Sequence, residues 1–208
     1  SYWRADRDGI ALQRISGIVF ETKKDLDIYL KKLEDAKLYD HRKLGRELDL
    51  FSFHDESPGM PFFHNNGLII FNNLISFMRK LLKNDYQEIK TPLVLSDSLW
   101  RMSGHYDFYK DNMYFTNINE ESCCIRPMNC PPGLLLFKER PRSYKELPIR
   151  VSEFGLVHRY ELSGVLHGLF RVRTFTVDDA HIYCTAEQIK DEISKIIKLI
   201  IYVYNSFN

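Results

Sequence analysis

The sequence predicts an α+β fold in which helices flank an antiparallel sheet. Three observations carry that prediction. Amphipathic helical periods fill two stretches of the N-terminal half and close the chain. Between Tyr86 and Thr176 the pattern changes to short extended segments. Two of these, Ile149 to Glu161 and Leu169 to Thr176, are joined only by the loop Leu162 to Gly168. That loop is too short for a crossover helix, so the pair must run antiparallel. Helices beside an antiparallel sheet mean α+β rather than a doubly wound fold.

The elements come in this order. Ser1 to Phe20 scatters Tyr2, Trp3, Leu12, Ile15 and Val19 among charges and reads as an irregular lead-in ending in a short strand. Lys23 to Tyr39 is helical by period, with Leu26, Leu30 and Leu33 on one face. Arg42 to Phe53 extends or connects it. Ser57-Pro58-Gly59-Met60-Pro61 is a turn cluster and marks the expected boundary between a lead-in, residues 1–56, and a core, residues 57–208. Gly67 to Leu82 is a helix whose Leu68, Phe71, Leu74, Ile75, Met78 and Leu81 share a face. Extended segments are expected at Tyr86 to Val94, Asn112 to Thr116 and Cys124 to Pro127, ahead of the hairpin from Ile149 to Thr176. Along its second strand, Arg171 and Arg173 should point one way and Phe170 and Val172 the other. A helix from Ala186 to Phe207 carries Ile189, Ile193, Ile196, Ile197 and Ile200.

Composition narrows the function classes. A chain of 208 residues with 44% hydrophobic and 27% charged residues has the make-up of an ordinary globular protein. A formal net charge of +1 leaves any nucleic-acid partner to be argued from local clusters. The four cysteines form no CxxC pair, and adjacent Cys123 and Cys124 are poor disulfide partners for each other. Reduced thiols in a cytoplasm are the reading that fits. No apolar run reaches about eighteen residues, so no helical membrane span is expected. The chain starts without Met and finishes in an uncapped helical pattern, as an excised piece of a longer protein would.

The hairpin RVSEFGLVHRYELSGVLHGLFRVRTFTVDDAHIY gathers the chemistry. It carries Arg159, Glu161, Arg171 and Arg173, with Asp178, Asp179 and His181 just beyond. Guanidiniums on a rigid sheet suit a polyphosphate, because their planar forks bind phosphate oxygens bidentately and stay charged. A solvated, salt-bridged sheet face would show the same charge pattern. Cys130 and His181 lie far apart, and nothing local resembles a zinc finger.

The order of the blocks is more specific. HRYELSG followed by LHGLFRVRTF and DDAHIY closely resembles motif 2 of threonyl-tRNA synthetases. YQEIKTPLVLSDSLWRMSGHYDFYKDNMYF resembles the motif 1 region of that family together with the segment after it. RPMNCPPG resembles its Met-Asn-Cys-Pro segment, and YWRADRDGIALQRISGIVF and DHRKLGRELDLFSF resemble the stretch that precedes the catalytic core. The resemblance covers essentially the whole chain.

The resemblance implies roles residue by residue. Pro92 matches the motif 1 proline, in a segment that builds a homodimer interface; a proline at a strand edge is the equally compatible structural reading. Arg159 matches the arginine that grips the α-phosphate of ATP. Glu161 matches the glutamate facing adenine, Arg171 an arginine directed at the outer phosphates, and Phe175 an aromatic stacked on adenine. Arg159 and Arg171 would be the catalytic pair, with Mg2+ accompanying ATP. The loop Leu162 to Gly168 matches one that approaches the tRNA acceptor end. Cys130 and His181 match two of three protein ligands to Zn2+, the third lying outside this chain. Asp179 matches an acid that assists at threonine, and Met128 lines the same pocket. A metal with open positions would select threonine through its hydroxyl, which valine lacks.

The chain departs from the family pattern in two places. Pro132-Gly133 stands where Gly-His usually comes after Cys-Pro, and Val177 stands where bacterial members commonly carry Gln. The implied activity is ATP-dependent activation of threonine and its transfer to tRNA, weak or absent in the piece alone because motif 3 is missing. A serine or proline enzyme of the same class, or a non-catalytic synthetase-like binding module, is the alternative.

Overall fold

The computed structural model describes the backbone at residues 2–3 and 12–13, and both backbone and side chains at 16–207. Most of the lead-in, including Ile15, therefore lies outside the described residues. The chain divides into two compact units, Ser1–Leu44 and Gly45–Asn208.

In the first unit, strands β1 (Tyr2–Trp3) and β2 (Leu12–Gln13) pair antiparallel. Helix α1 (Lys23–Leu38) starts where Thr22 accepts from the Asp25 backbone N–H and where Asp25 meets the positive end of the helix dipole. Its expected apolar face exists, yet Leu26, Leu30 and Leu33 remain exposed and no residue of the helix is buried. Helix α2 (His41–Glu47) runs across the boundary between the two units.

The second unit holds the rest. A small hairpin, β3 (Phe51–Ser52) with β4 (Phe62–Phe63), leads into helix α3 (Asn65–Leu82). Phe71, Ile75, Met78 and Leu81 of its expected face are half-buried, while Leu68 and Leu74 stay exposed. Strand β5 (Gln87–Glu88) comes next, then β6 (Val94–Ser96), helices α4 (Asp97–Met102) and α5 (His105–Tyr109), and the hairpin β7 (Tyr114–Ile118) and β8 (Glu121–Ile125). Helix α6 (Cys130–Lys138), strands β9 (Ile149–His158) and β10 (Thr174–Tyr183), and helix α7 (Ile189–Asn205) complete the chain. Among the described residues no helix is long and apolar enough to cross a membrane.

Two three-stranded sheets organise this unit. One runs β6-β8-β7, antiparallel throughout, and closes a core of Trp100, Met113 and Cys124. Burial pushes the Cys124 thiol up to about 12, so it stays a neutral packing group. The other sheet runs β10-β9-β5. Its long β9–β10 pair is antiparallel, as the short loop requires, whereas β5 joins β9 in a short parallel contact.

The structure corrects the sequence pattern in two places. The second strand of the hairpin starts at Thr174, not Leu169, and runs on to Tyr183. Val172 and Arg173 are both buried, so residues 170–173 do not alternate as a strand would. Tertiary bonds hold this stretch: the Arg173 backbone N–H donates to Gly59 O at 2.7 Å and its guanidinium donates to Pro58 O at 3.1 Å. The turn cluster is one partner of this stretch, and the Arg159 N–H, just past β9, donates to Arg173 O at 2.9 Å. The second correction is that α4, α5 and α6 are helices in stretches where the sequence pattern predicts none.

Candidate functional site

The register of β9 against β10 builds the site. Phe175 lies opposite Val157, Val177 opposite Gly155, Asp179 opposite Glu153 and His181 opposite Val151. Alternation puts Phe175, Val177, Asp179, His181 and Tyr183 on one face, facing the same way as Val151, Glu153, Gly155 and Val157.

The segment Arg126 to Cys130 lies across that face, and four contacts hold it there. The His158 backbone N–H donates to Arg126 O at 3.0 Å, and the Arg126 N–H donates to Leu93 O at 2.9 Å. The Arg126 side chain is buried and donates to the Glu153 carboxylate at 2.8 Å and to Leu156 O at 2.8 Å. Thr91, also buried, donates its backbone N–H to the same carboxylate at 2.9 Å and its hydroxyl at 3.0 Å. A buried ion pair is tolerated only when its remaining donors and acceptors are filled in this way. Asn129 then seats on Gly155, where a Cβ would come within 2.1 Å of Asn129 Oδ1. Only glycine leaves that room.

This seating brings Cys130, at the start of α6, to β10. The ligand-capable atoms of Cys130, Asp179 and His181 all lie within 4.8 Å of one another. Phe137 of α6 stacks on Tyr183 at 3.7 Å between ring centroids, fixing the helix over the strand. A Cβ on Gly133 would lie 4.0 Å from His181 Nδ1, so the helix passes close to the imidazole without clashing. Burial, and then the nearby Asp179, hold the Cys130 thiol above its usual range, so without a cation it stays protonated. Asn129 Oδ1 is buried without a hydrogen-bond partner beside this cluster, while Asn129 Nδ2 reaches Asp179 at 3.4 Å. A thiol, an imidazole and a carboxylate beside an unfilled acceptor suit a zinc-type cation.

The charged residues of the hairpin gather beyond the other end of the face. Arg159 donates from Nε to Pro127 O at 3.1 Å and lies with its guanidinium 5.2 Å from the centre of the Phe175 ring. Arg171 pairs with Glu161 at 3.0 Å, and its side chain remains half-exposed. Arg173 is tied down instead, donating to Glu161 O at 2.9 Å and stacking its guanidinium over Tyr160 at 4.8 Å. Arg159 and Arg171 are thus set apart from Arg173 by their surroundings. Met128 packs against the Trp100, Met113 and Cys124 core.

Arg126, Glu153, Thr91, Asn129 and Gly155 do not stand out in the sequence. Gly155 carries a usable signal, since a glycine inside a strand pattern marks close backbone approach. Glu153 carries another, as a lone acid on the otherwise apolar face of its strand that also bears Val151, Gly155 and Val157. Asn129 carries none.

Comparison with known proteins bears on what this arrangement belongs to. Residues 113–208 match the model of the tRNA synthetase class II core domain (G, H, P, S and T). Those residues carry the core domain of the class II tRNA synthetases. Over its whole length the chain is 58% identical to a threonine–tRNA ligase of Clostridium botulinum and 55% identical to one of Finegoldia magna, each match covering 33% of the relative. The chain therefore spans about a third of the length of these curated relatives. A crystal structure of the RNA binding domain of threonyl-tRNA synthetase from Cryptosporidium parvum superimposes with a TM-score of 0.78 at 43% identity, covering 80% of this chain and 42% of that one. Prolyl-tRNA synthetase from Giardia lamblia, in complex with prolyl-adenylate, shares the class II fold at a TM-score of 0.69 and 22% identity, covering 76% of this chain and 34% of that one.

Proposed function

We propose that the longer protein carrying this chain activates threonine with ATP and transfers it to tRNA. The convergence of Cys130, Asp179 and His181 within 4.8 Å, from segments far apart in sequence, carries the choice of threonine over serine or proline. Residues 57–208 supply the first part of the catalytic domain.

In this reading, Arg159 holds the α-phosphate and neutralises charge as the threonine carboxylate attacks it. Its bond to Pro127 O and its place over Phe175 fix the guanidinium before substrate arrives. Phe175 offers a flat face to adenine, and Glu161 takes the adenine side of the site. Arg171 leaves Glu161 for the outer phosphates, which Mg2+ also accompanies. Cys130 and His181 hold zinc together with a third protein ligand from elsewhere in the longer protein, and Asp179 and Met128 bound the threonine pocket. Zinc bound there supplies a Lewis acid for the amino group and hydroxyl of threonine. The loop Leu162 to Gly168 meets the tRNA acceptor end, Pro92 lies in a segment serving a homodimer interface, and the enzyme works in the cytoplasm.

Threonine-dependent exchange of pyrophosphate into ATP tests this. Arg159→Ala should keep the fold and lower exchange at least about a hundredfold, as expected when a charged transition-state contact is lost. Exchange within a few-fold of the unmodified protein would contradict the assignment.

A further inference from the structure

A second constellation lies outside this site, where β3 meets the start of α3. Ser52 Oγ is 2.8 Å from His64 Nε2, and His64 Nδ1 is 2.6 Å from the Asp49 carboxylate. The carboxylate accepts from Nδ1–H and so fixes the tautomer that leaves Nε2 as an acceptor. The Ser52 hydroxyl then donates to Nε2. His54 Nε2, 2.9 Å from the same oxygen, donates to Oγ and holds the hydroxyl in that orientation.

The backbone clamps this chain of bonds in place. His64 donates its N–H to Leu50 O at 2.9 Å, and Asn66 Nδ2 donates to Leu48 O at 3.0 Å. Gly67 passes so close that a Cβ would lie 2.0 Å from Leu50 O. Asp49 takes a left-handed backbone conformation with φ 53°, an unusual position for any residue but glycine, and its carboxylate meets His64 from there. Ser52 sits opposite Phe62 in the β3–β4 pair and is half-buried.

We propose that Ser52 is a nucleophile, activated by His64 and oriented by Asp49 through it, that accepts acyl groups from activated esters. Nucleophile, base and orienting acid stand in the order and at the distances that nucleophilic catalysis requires. The reaction forms a bond from Oγ to the ester carbonyl carbon and breaks the bond from that carbon to the leaving oxygen. His64 Nε2 takes the hydroxyl proton and returns it to the leaving alcohol or phenol. The products are the Ser52 ester and the free alcohol, with no oxidant or reductant involved. Asp49 is 72% exposed, so solvent screens its field and its contribution is the tautomer and the aim of the ring. Asp49 is thus a positioning residue.

The test is acylation of the full-length protein by p-nitrophenyl acetate, read by p-nitrophenol release, intact mass and peptide mapping. One acetyl group should appear at Ser52, and Ser52→Ala should lose it while keeping its thermal unfolding profile. Asp49→Asn, at an exposed carboxylate, should fold normally and acylate Ser52 about 10- to 100-fold more slowly. A folded protein whose Ser52 stays unmodified overturns the proposal. So does Asp49→Asn acylating Ser52 at the unmodified rate, which would leave the network as a structural staple between β3 and α3.

Discussion

Glu153→Gln removes one charge from the buried group that seats the Cys130 segment. The carboxylate receives hydrogen bonds from Arg126 at 2.8 Å and from the Thr91 N–H and hydroxyl at 2.9 and 3.0 Å. Glutamine keeps one acceptor oxygen but leaves the guanidinium of Arg126, itself only 4% exposed, without a counter-charge. Two unit charges at this separation attract by about 6 kcal/mol at an effective dielectric of about 20. Stripping one partner from a buried pair costs about 3–5 kcal/mol in practice. At a urea slope of about 2 kcal/mol/M, the unfolding midpoint should fall by about 1.5–2.5 M. The assay is urea unfolding followed by far-UV circular dichroism and by Trp100, which is fully buried in the unmodified chain. Arg126→Met alone should also destabilise, and the double variant should recover part of the loss, with a coupling energy of about 1.5 kcal/mol or more. A single-variant loss under about 1 kcal/mol, or two losses that simply add, would refute this account of what holds the segment.

The same contacts set two further outcomes. Gly155→Ala should destabilise by about 1–3 kcal/mol and lower zinc retention after dialysis, because the added methyl meets the Asn129 side chain that seats Cys130. Unchanged metal content would show that Asn129 does not set the cluster. Arg150, donating to Glu192 at 2.6 Å, and then Lys195 hold the buried Glu192 carboxyl at about 2 rather than 4.5. A lowered folded-state value gives stability that is complete above 4.5 and is lost as pH falls toward 2. Acid titration of stability should therefore show a loss of up to about 3 kcal/mol across that window, and Glu192→Gln should flatten it. A variant with the same acid slope would contradict the pairing.

More of the fold than of the site's support is legible in the sequence. Antiparallel pairing of β9 and β10 comes from loop length alone, and helices α1, α3 and α7 come from their apolar period. The start of β10 is misplaced by the pattern because Arg171 and Arg173 mimic strand alternation, while the Pro58–Gly59 turn, distant in sequence, holds Arg173. Helices α4 and α6 are too short for periodicity to register, although Ser96 before Asp97 and Pro131-Pro132 in the first turn of α6 are start signals. Cys130 and His181 can be named only through family resemblance, since their meeting depends on Asn129 over Gly155 and on the Arg126–Glu153 pair. Those are tertiary contacts without a local pattern.

In the proposed function, Cys130 and His181 hold a metal that selects threonine. Pyrophosphate exchange by the full-length protein with threonine, serine and valine tests it most directly. A hydroxyl-reading site should rank threonine first, serine second and valine far behind, because losing a methyl contact costs only about 1–3 kcal/mol while an unfilled polar site costs more. His181→Ala should abolish bound zinc and exchange together. Valine activated as well as serine, or zinc retained in folded His181→Ala, would contradict the claim.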